Sequence, residues 1–412
     1  MTILYIVIVI LILEYAVNEL VDYLNLKHEL KPVSPYLSRI FSYMQRKKMH
    51  LYHLANYRTG FFSSLVSLIV ILSLLIFNGF GQIDYWIRSY FDNEILITLA
   101  FFGVIGVGGS ILALPWEVYN TFYIEKRFDF NRQTPVLFIL DKIKGMAVSI
   151  LLGGGILAIV TWIYYNLNDH FWWIAWAVIT SFSLFMTMFY SNLIVPLFNK
   201  QRPLEEGELR AEIEETAEKA GFKLDNIYVI DGSKRSTKSN AYFTGIGPKK
   251  RIVLYDTLIN DLSNEEIVAV LAHEIGHYKK KHVTLNFITG VLQTGVILLL
   301  FDFITGYDAI YKAIGAVKPS FHMGLLVFGF LFTPASILIG LVTSYFSRKA
   351  EYQADAFAAK LGKARALIGA LLKLTDKNLS NINPHPAFVF MHYSHPPVNE
   401  RIKYLESLKD QS

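Results

Sequence analysis

The chain has no cysteine among its 412 residues. That excludes disulfides, thiolate catalysis and cysteine-ligated metal, and it leaves the redox compartment undetermined. Any transition metal here must be held by histidine and carboxylate. Charge is scarce too. Asp, Glu, Lys and Arg make up 18% of the residues, against about 25% in soluble domains. The net charge of +5 is too small and too scattered to mark a nucleic-acid partner. Apolar residues fill the gap, with 53% hydrophobic, 15% aromatic and a mean hydropathy of +0.36. So much apolar surface needs a nonpolar solvent, and the composition predicts an integral membrane protein.

Met1 and Thr2 offer no basic segment, and the apolar run 3–13 leads into Glu14 and Asn18 without a small-residue cleavage site. A first membrane helix over 3–24 is therefore expected in place of a cleaved signal peptide. Six more stretches approach the roughly 20 apolar residues that a hydrocarbon core needs. They are 61–80, 95–115, 146–165, 171–196, 283–301 and 323–346. Loop 25–60 carries seven Lys or Arg, 81–94 only Arg88, 115–145 five and 166–170 none. Lys200 and Arg202 follow the fifth span, Lys312 and Lys318 lie in 302–322, and Arg348 and Lys349 follow the last. This alternation predicts the N-terminus outside, with the long polar region and the C-terminus in the cytosol. Glu14, Asn18, Glu19, Glu117, Asn120 and Asp302 lie near span ends. Such groups face either a wet bundle interior or the interface. Gly103, Gly106, Gly108 and Gly109, with Gly153–Gly155, lack any strand–loop–helix context and read as close helix packing.

Residues 199–282 read as a small α/β insertion: a charged helix over 205–220 stopped by Gly221, strands at 227–230, 240–244 and 251–255, and a polar loop at 231–239. The last two strands are expected to be joined across 245–250. Ser263, with Glu266 three residues on, is a capping box. It opens a helix carrying His273-Glu274-Ile275-Gly276-His277. Two histidines four positions apart share one helical face, so their imidazoles can converge on one tetrahedral zinc. Glu274 beside them suits a base for water better than a ligand. The alternative is a solvated helix with incidental histidines.

A catalytic zinc needs a third protein ligand and an open position. A third histidine six residues downstream is absent, since position 283 is Val and position 280 is Lys. Two further spans return the chain to the same side of the membrane at Arg348. There Glu351 and Asp355 project from one helical face. Glu351 can complete a His₂Glu set, and Asp355 can bind a ligand imidazole from behind. The competing reading is a surface helix balancing Arg348 and Lys349. His395, held extended by Pro396 and Pro397, is a candidate donor to a tetrahedral intermediate or a plain turn histidine. The strand from Asn240 could bind an extended peptide by strand addition, although asparagine beside a strand is most often turn chemistry. Lys279-Lys280-Lys281 marks the cytosolic membrane boundary and lipid headgroups.

At these residues the chain resembles the type I CAAX prenyl proteases, zinc-dependent integral-membrane endopeptidases. The resemblance is specific in Ser239-Asn240-Ala241-Tyr242-Phe243, in 251–258 (RIVLYDTL), in 271–277 with 351–357, and in His395-Pro396-Pro397 with Glu400-Arg401. It implies seven helices around a large water-filled chamber with one zinc at its cytosolic end, ligated by His273, His277 and Glu351. It implies Glu274 as general base and Asp355 as a supporting acid, a proton donor in some schemes. Asn240 and His395 match positions that contact substrate near the scissile bond, with Tyr242 beside Asn240 on the substrate side. Arg401 matches a buried arginine of the same site and is assigned with the substrate-binding residues.

The expected fold is therefore mainly α: seven transmembrane helices around a large internal chamber, with a cytosolic α/β zinc-metalloprotease insertion. Its expected segments are a five-span region (1–198), the segment carrying the histidine pair (199–282), a two-span hairpin (283–347) and a cytosolic segment completing the zinc site (348–412). Gly290 and Gly340 are expected on the hairpin's packing face. The expected activity is zinc-dependent endopeptidase cleavage near the C-terminus of CAAX-type peptides, isoprenylated ones included. The expected partners are that peptide and membrane lipid, the protein acting as a monomer. The chain closes without a eukaryotic lysine-type retention tail, which bears on the physiological substrate and not on the chemistry. A bacterial plasma membrane is expected over the endoplasmic reticulum. Two other readings compete. A heat-shock-induced quality-control zinc protease is disfavoured by the seven spans and the His-Pro-Pro. A transporter with structural zinc would not need Glu274.

Overall fold

The computed structural model describes residues 2–222, 227–244 and 251–409. Among these residues seven helical spans are long and apolar enough to cross a membrane. The first is α1 (Thr2–His28). A short α2 (Pro35–Ile40) precedes the second span, α3 (Tyr43–Ile76), which opens on a Ser42–Gln45 capping box. The run expected to reach residue 80 stops at Ile76, and Asn78, at φ 56°, turns the chain into α4 (Gly79–Arg88). The third span, α5 (Glu94–Tyr119), continues through a π turn at Asn120–Glu125. The fourth joins α6 (Pro135–Val148) to α7 (Gly155–Asn166) through a π turn at Ser149–Gly154. The fifth is α8 (Phe171–Leu193) with α9 (Val195–Phe198).

The insertion follows as β1 (Gln201–Pro203), α10 (Glu208–Lys219), β2 (Ile227–Ile230), β3 (Ala241–Thr244), β4 (Arg251–Tyr255), α11 (Asp256–Asp261) and α12 (Asn264–Lys279). The expected connection 245–250 lies outside the described residues. The last two spans are α13 (His282–Thr305) and α15 (Phe321–Lys360), with α14 (Asp308–Ala313) between them. Three more helices close the chain: α16 (Ala364–Lys377), α17 (Pro386–His392) and α18 (Val398–Lys409). A segment boundary at 347/348 therefore falls inside one unbroken 40-residue helix.

Burial is unevenly distributed along the spans. At one end, residues from all seven spans meet in two apolar clusters. One includes Val7, Leu75, Ile97, Phe101 and Met323; the other includes Ile163, Phe171, Phe301 and Phe321. Along the spans little is buried, only 6–17% of the residues in each span's apolar window. A packed bundle would bury far more. The expected glycine packing fails for the same reason. A Cβ on Gly103, Gly106, Gly108, Gly109, Gly153, Gly155, Gly290 or Gly340 would meet no atom within 4 Å. The hairpin instead touches the fifth span at Gly295, where a Cβ would lie 3.2 Å from Trp176 Nε1.

The closed end also carries a polar knot. Asp84 and His322 are both fully buried. Asp84 Oδ1 accepts from Arg88 Nε at 2.8 Å and from His322 Nε2 at 2.9 Å. Glu94 accepts from Arg88 Nη1 at 2.8 Å, from the Tyr165 hydroxyl at 3.2 Å and from Lys318 Nζ at 2.6 Å. These groups tie α4, α5, α7 and the start of α15 together.

At the opposite end the strands form a four-stranded sheet in the order β1-β2-β4-β3. β2 and β4 are parallel, and β3 pairs with β4 antiparallel, from Ala241↔Leu254 to Thr244↔Arg251. β1, too short and proline-bearing to show in the sequence, occupies one edge, where proline is tolerated. β3 is the other edge and lies beside α12. Ile227, Val229, Ile252 and Leu254 of the sheet pack on Ile267, Val268 and Leu271 of α12. That packing fixes the helix that bears the histidine pair.

Candidate metal centre

Two helices meet to build the site. The Ser263–Glu266 capping box starts α12: Glu266 Oε2 accepts the Ser263 amide at 2.9 Å, and Ser263 Oγ accepts the Glu266 amide at 3.4 Å. From there 3.6 residues per turn bring His273 and His277 to the face opposite α15. Gly276 permits the approach. A Cβ there would stand 3.0 Å from the Ala354 Cα and 3.0 Å from the Phe357 Cβ. Any side chain at 276 would therefore push α12 and α15 apart.

Across this contact His273 Nε2 lies 3.1 Å from His277 Nε2 and 3.4 Å from Glu351 Oε2. His277 Nε2 lies 3.2 Å from Glu351 Oε1. Ligand atoms about 2.0–2.2 Å from a tetrahedral ion stand about 3.3–3.6 Å apart, so these spacings fit one small cation. Glu351 Oε2 is buried without a hydrogen-bond donor, as expected of an atom reserved for a cation. His273, His277 and Glu351 form the group among the described residues able to hold a metal.

The surrounding residues have separate placements. Asp355, fully buried, accepts at Oδ1 from His273 Nδ1, 2.8 Å away. Its two oxygens also take Arg401 Nε at 2.9 Å and Nη2 at 2.6 Å. Burial works against the Arg401 charge, yet Asp355 and Glu351 outweigh it and raise the guanidinium above its ordinary range. Arg401 Nη1 is 3.4 Å from Glu351 Oε2. The guanidinium expected at the substrate is thus occupied by two carboxylates. His395, with a side chain 63% exposed, holds Nε2 3.3 Å from Glu351 Oε1. Ser394 Oγ is 2.8 Å from its Nδ1. Glu274, half-buried on α12, makes no hydrogen bond or ion pair among the described residues, but its charge is felt by Arg401. Asn240 is exposed at the head of β3 and accepts the Ala241 amide through Oδ1 at 2.9 Å. Tyr242 has its ring edge-on to Tyr255 at 6.4 Å.

His282 does not figure in the sequence reading, yet its Nδ1 lies 3.0 Å from His277 Nδ1 and its Nε2 3.0 Å from Gln353 Oε1. The only sequence cue is a third histidine five positions after the second, outside the spacing of the extended three-histidine zinc motif.

Comparison with known proteins agrees with this geometry. A family model described as the CAAX prenyl protease N-terminal region, five membrane helices, matches residues 22–200. A second, peptidase family M48, matches residues 203–409. A CAAX prenyl protease 1 homolog of Arabidopsis thaliana is 41% identical over 316 residues, covering 76% of this chain and 74% of that protein. CAAX prenyl protease 1 of Saccharomyces cerevisiae is 38% identical over 341 residues, covering 79% and 75%. The crystal structure of S. mikatae Ste24p superposes with a TM-score of 0.91 at 34% identity, covering 98% of this chain and 99% of that one. With both halves matched and a His-His-Glu cluster between two helices, the chain belongs to the M48 family of metallopeptidases, in the branch that carries the CAAX prenyl protease membrane region.

Proposed function

We propose that the protein is a zinc-dependent membrane endopeptidase that cleaves near the C-terminus of CAAX-type peptides, isoprenylated ones included. The observation that carries this reading is the convergence of His273 Nε2, His277 Nε2 and Glu351 at tetrahedral spacing. The same reading gives one zinc per chain and a monomer as the working unit. When bound, zinc supplies Lewis acidity, polarising the scissile carbonyl and lowering the pKa of water to about 7.

The chain's own residues do the rest. Glu274, with no other partner among the described residues, takes the proton of the attacking water and passes it to the leaving amine. His395 donates from Nε2 to the developing oxyanion, and Ser394 at Nδ1 suits that tautomer. Asp355 fixes the His273 ring and its tautomer. With both of its oxygens taken, it has no free proton to deliver, so its role is support. The outer edge of β3, unpaired among the described strands, offers backbone groups for an extended peptide. The test is cleavage of a synthetic CAAX peptide, with and without a farnesyl group, by the purified protein in detergent. Metal-dependent release of the C-terminal residues is expected. Cleavage that survives complete zinc removal would overturn the reading.

Zinc loading should depend on pH. In the metal-free protein burial pushes the His273 imidazole down, but the adjacent Asp355 and Glu351 carboxylates raise it to about 9. Below that pH zinc must displace a proton. Apparent affinity should then rise about tenfold per pH unit up to pH about 9 and level off above it. Chelator competition between pH 6 and 10 measures the slope, and a flat profile would show that His273 is already neutral.

The loop charges support a cytosolic zinc site and an external N-terminus. The absence of native cysteine makes labelling clean. Leu30→Cys and Tyr90→Cys both replace exposed residues. An impermeant thiol reagent added to intact cells should reach position 90 and miss position 30. The reverse pattern would invert the topology.

A further inference from the structure

His282 stands outside the three ligands and the proposed catalytic groups, yet it is buried against one of them. The chain leaves α12 at Lys279, and Lys281 adopts a left-handed backbone at φ 59°, a conformation that a residue with a Cβ rarely takes. That turn brings the first residue of α13 back onto the helix it has just left. The outcome is a row of three side chains: His277 Nδ1 to His282 Nδ1 at 3.0 Å, then His282 Nε2 to Gln353 Oε1 at 3.0 Å. Gln353 lies two positions after Glu351 on α15.

We infer that His282 is a positioning residue for the metal centre, relaying a hydrogen bond from ligand His277 to Gln353 and so locking the two ligand-bearing helices in register. The inference rests on the zinc reading above. Proton arithmetic makes the row directional. A metal on His277 Nε2 leaves the ring proton on Nδ1, which must donate. His282 Nδ1 must then be the bare acceptor, so its proton sits on Nε2 and is donated to the Gln353 amide oxygen. Each ring is thereby held in one tautomer. The two ligand histidines have different backing: His273 has the Asp355 carboxylate, whereas His277 has a neutral imidazole. A neutral partner orients His277 without adding negative charge to a site that already holds Glu351 and Asp355.

The experiment measures zinc affinity by graded chelator competition on the full-length protein in detergent, with melting temperature and peptide turnover recorded alongside. Wild-type stoichiometry tests the zinc reading, and the variants test this inference. His282→Ala should bind zinc about 10–100-fold more weakly. His282→Asn should recover most of that loss, because its amide oxygen can stand where Nδ1 accepts. Gln353→Met should weaken zinc in the same direction. Added to His282→Ala it should change nothing further, since the row is already cut. If wild type binds one zinc and His282→Ala holds it equally tightly, the inference fails while the zinc reading stands. It fails too if Asn is no better than Ala, or if the two losses simply add. Should His282→Ala not fold, the Gln353→Met measurement decides alone, and unchanged affinity there overturns the relay.

Discussion

Glu274→Gln is expected to lower peptide turnover about 10²–10⁴-fold, the usual range for losing a general base, while zinc content and melting temperature stay at wild-type values. Glutamine keeps the shape and length of the side chain but cannot accept a proton. Glu274 spends nothing on structure, having no hydrogen bond or ion pair among the described residues, and it is half-buried on α12. Its neighbours His273, Ile275 and Gly276 all face inward. The charge it lends to Arg401 is the smallest of the contributions there, so only a slight stability penalty has a source. The measurement is kcat at saturating peptide with bound zinc determined on the same sample. Near wild-type turnover in a zinc-loaded variant would place the base elsewhere.

Arg401→Met is expected to act through stability. The guanidinium neutralises Asp355 by two hydrogen bonds and stands beside Glu351. Methionine of similar length leaves those carboxylates buried with one cation fewer. Removing one partner of such a buried pair costs about 3–5 kcal/mol. Bound zinc would compensate Glu351 in part, so the loss should be larger after chelation than before. Melting curves of both forms in detergent, compared with wild type, give the result. Equal shifts with and without zinc would mean that Arg401 serves Asp355 alone. If no shift appears in either form, solvent reaches these carboxylates, and the cluster is less dry than its burial implies.

The readable parts of this chain were those in which neighbours in sequence are neighbours in space. The His273–His277 pair follows from helical periodicity, and the Ser263–Glu266 cap from a three-residue spacing. Span positions follow from the length of apolar runs, and Glu351 could be reached by counting crossings. Three features resisted. The glycines of α5 read as packing surface because composition cannot separate a helix facing a neighbour from one facing open space. β1 is three residues long and includes Pro203, so it gives no alternating pattern. His282 was hidden because its contact with His277 depends on the left-handed turn at Lys281, at a residue type that does not signal one.

One helix reaches both ends of the molecule. His322, in the polar knot at the closed end, and Glu351, in the metal cluster, are 29 positions apart on α15. At about 1.5 Å per residue that is a rod of about 44 Å, with Pro334 inside it as a weak joint. Mechanically the rod is a lever whose fulcrum is the Asp84–His322–Arg88 tie. A rotation of about one degree at that fulcrum sweeps Glu351 through about 0.8 Å, beyond the roughly 0.5 Å within which a working site must be held. Alignment of Glu351 is therefore set in part at the opposite end of α15, by residues outside the His273–His277–Glu351 cluster.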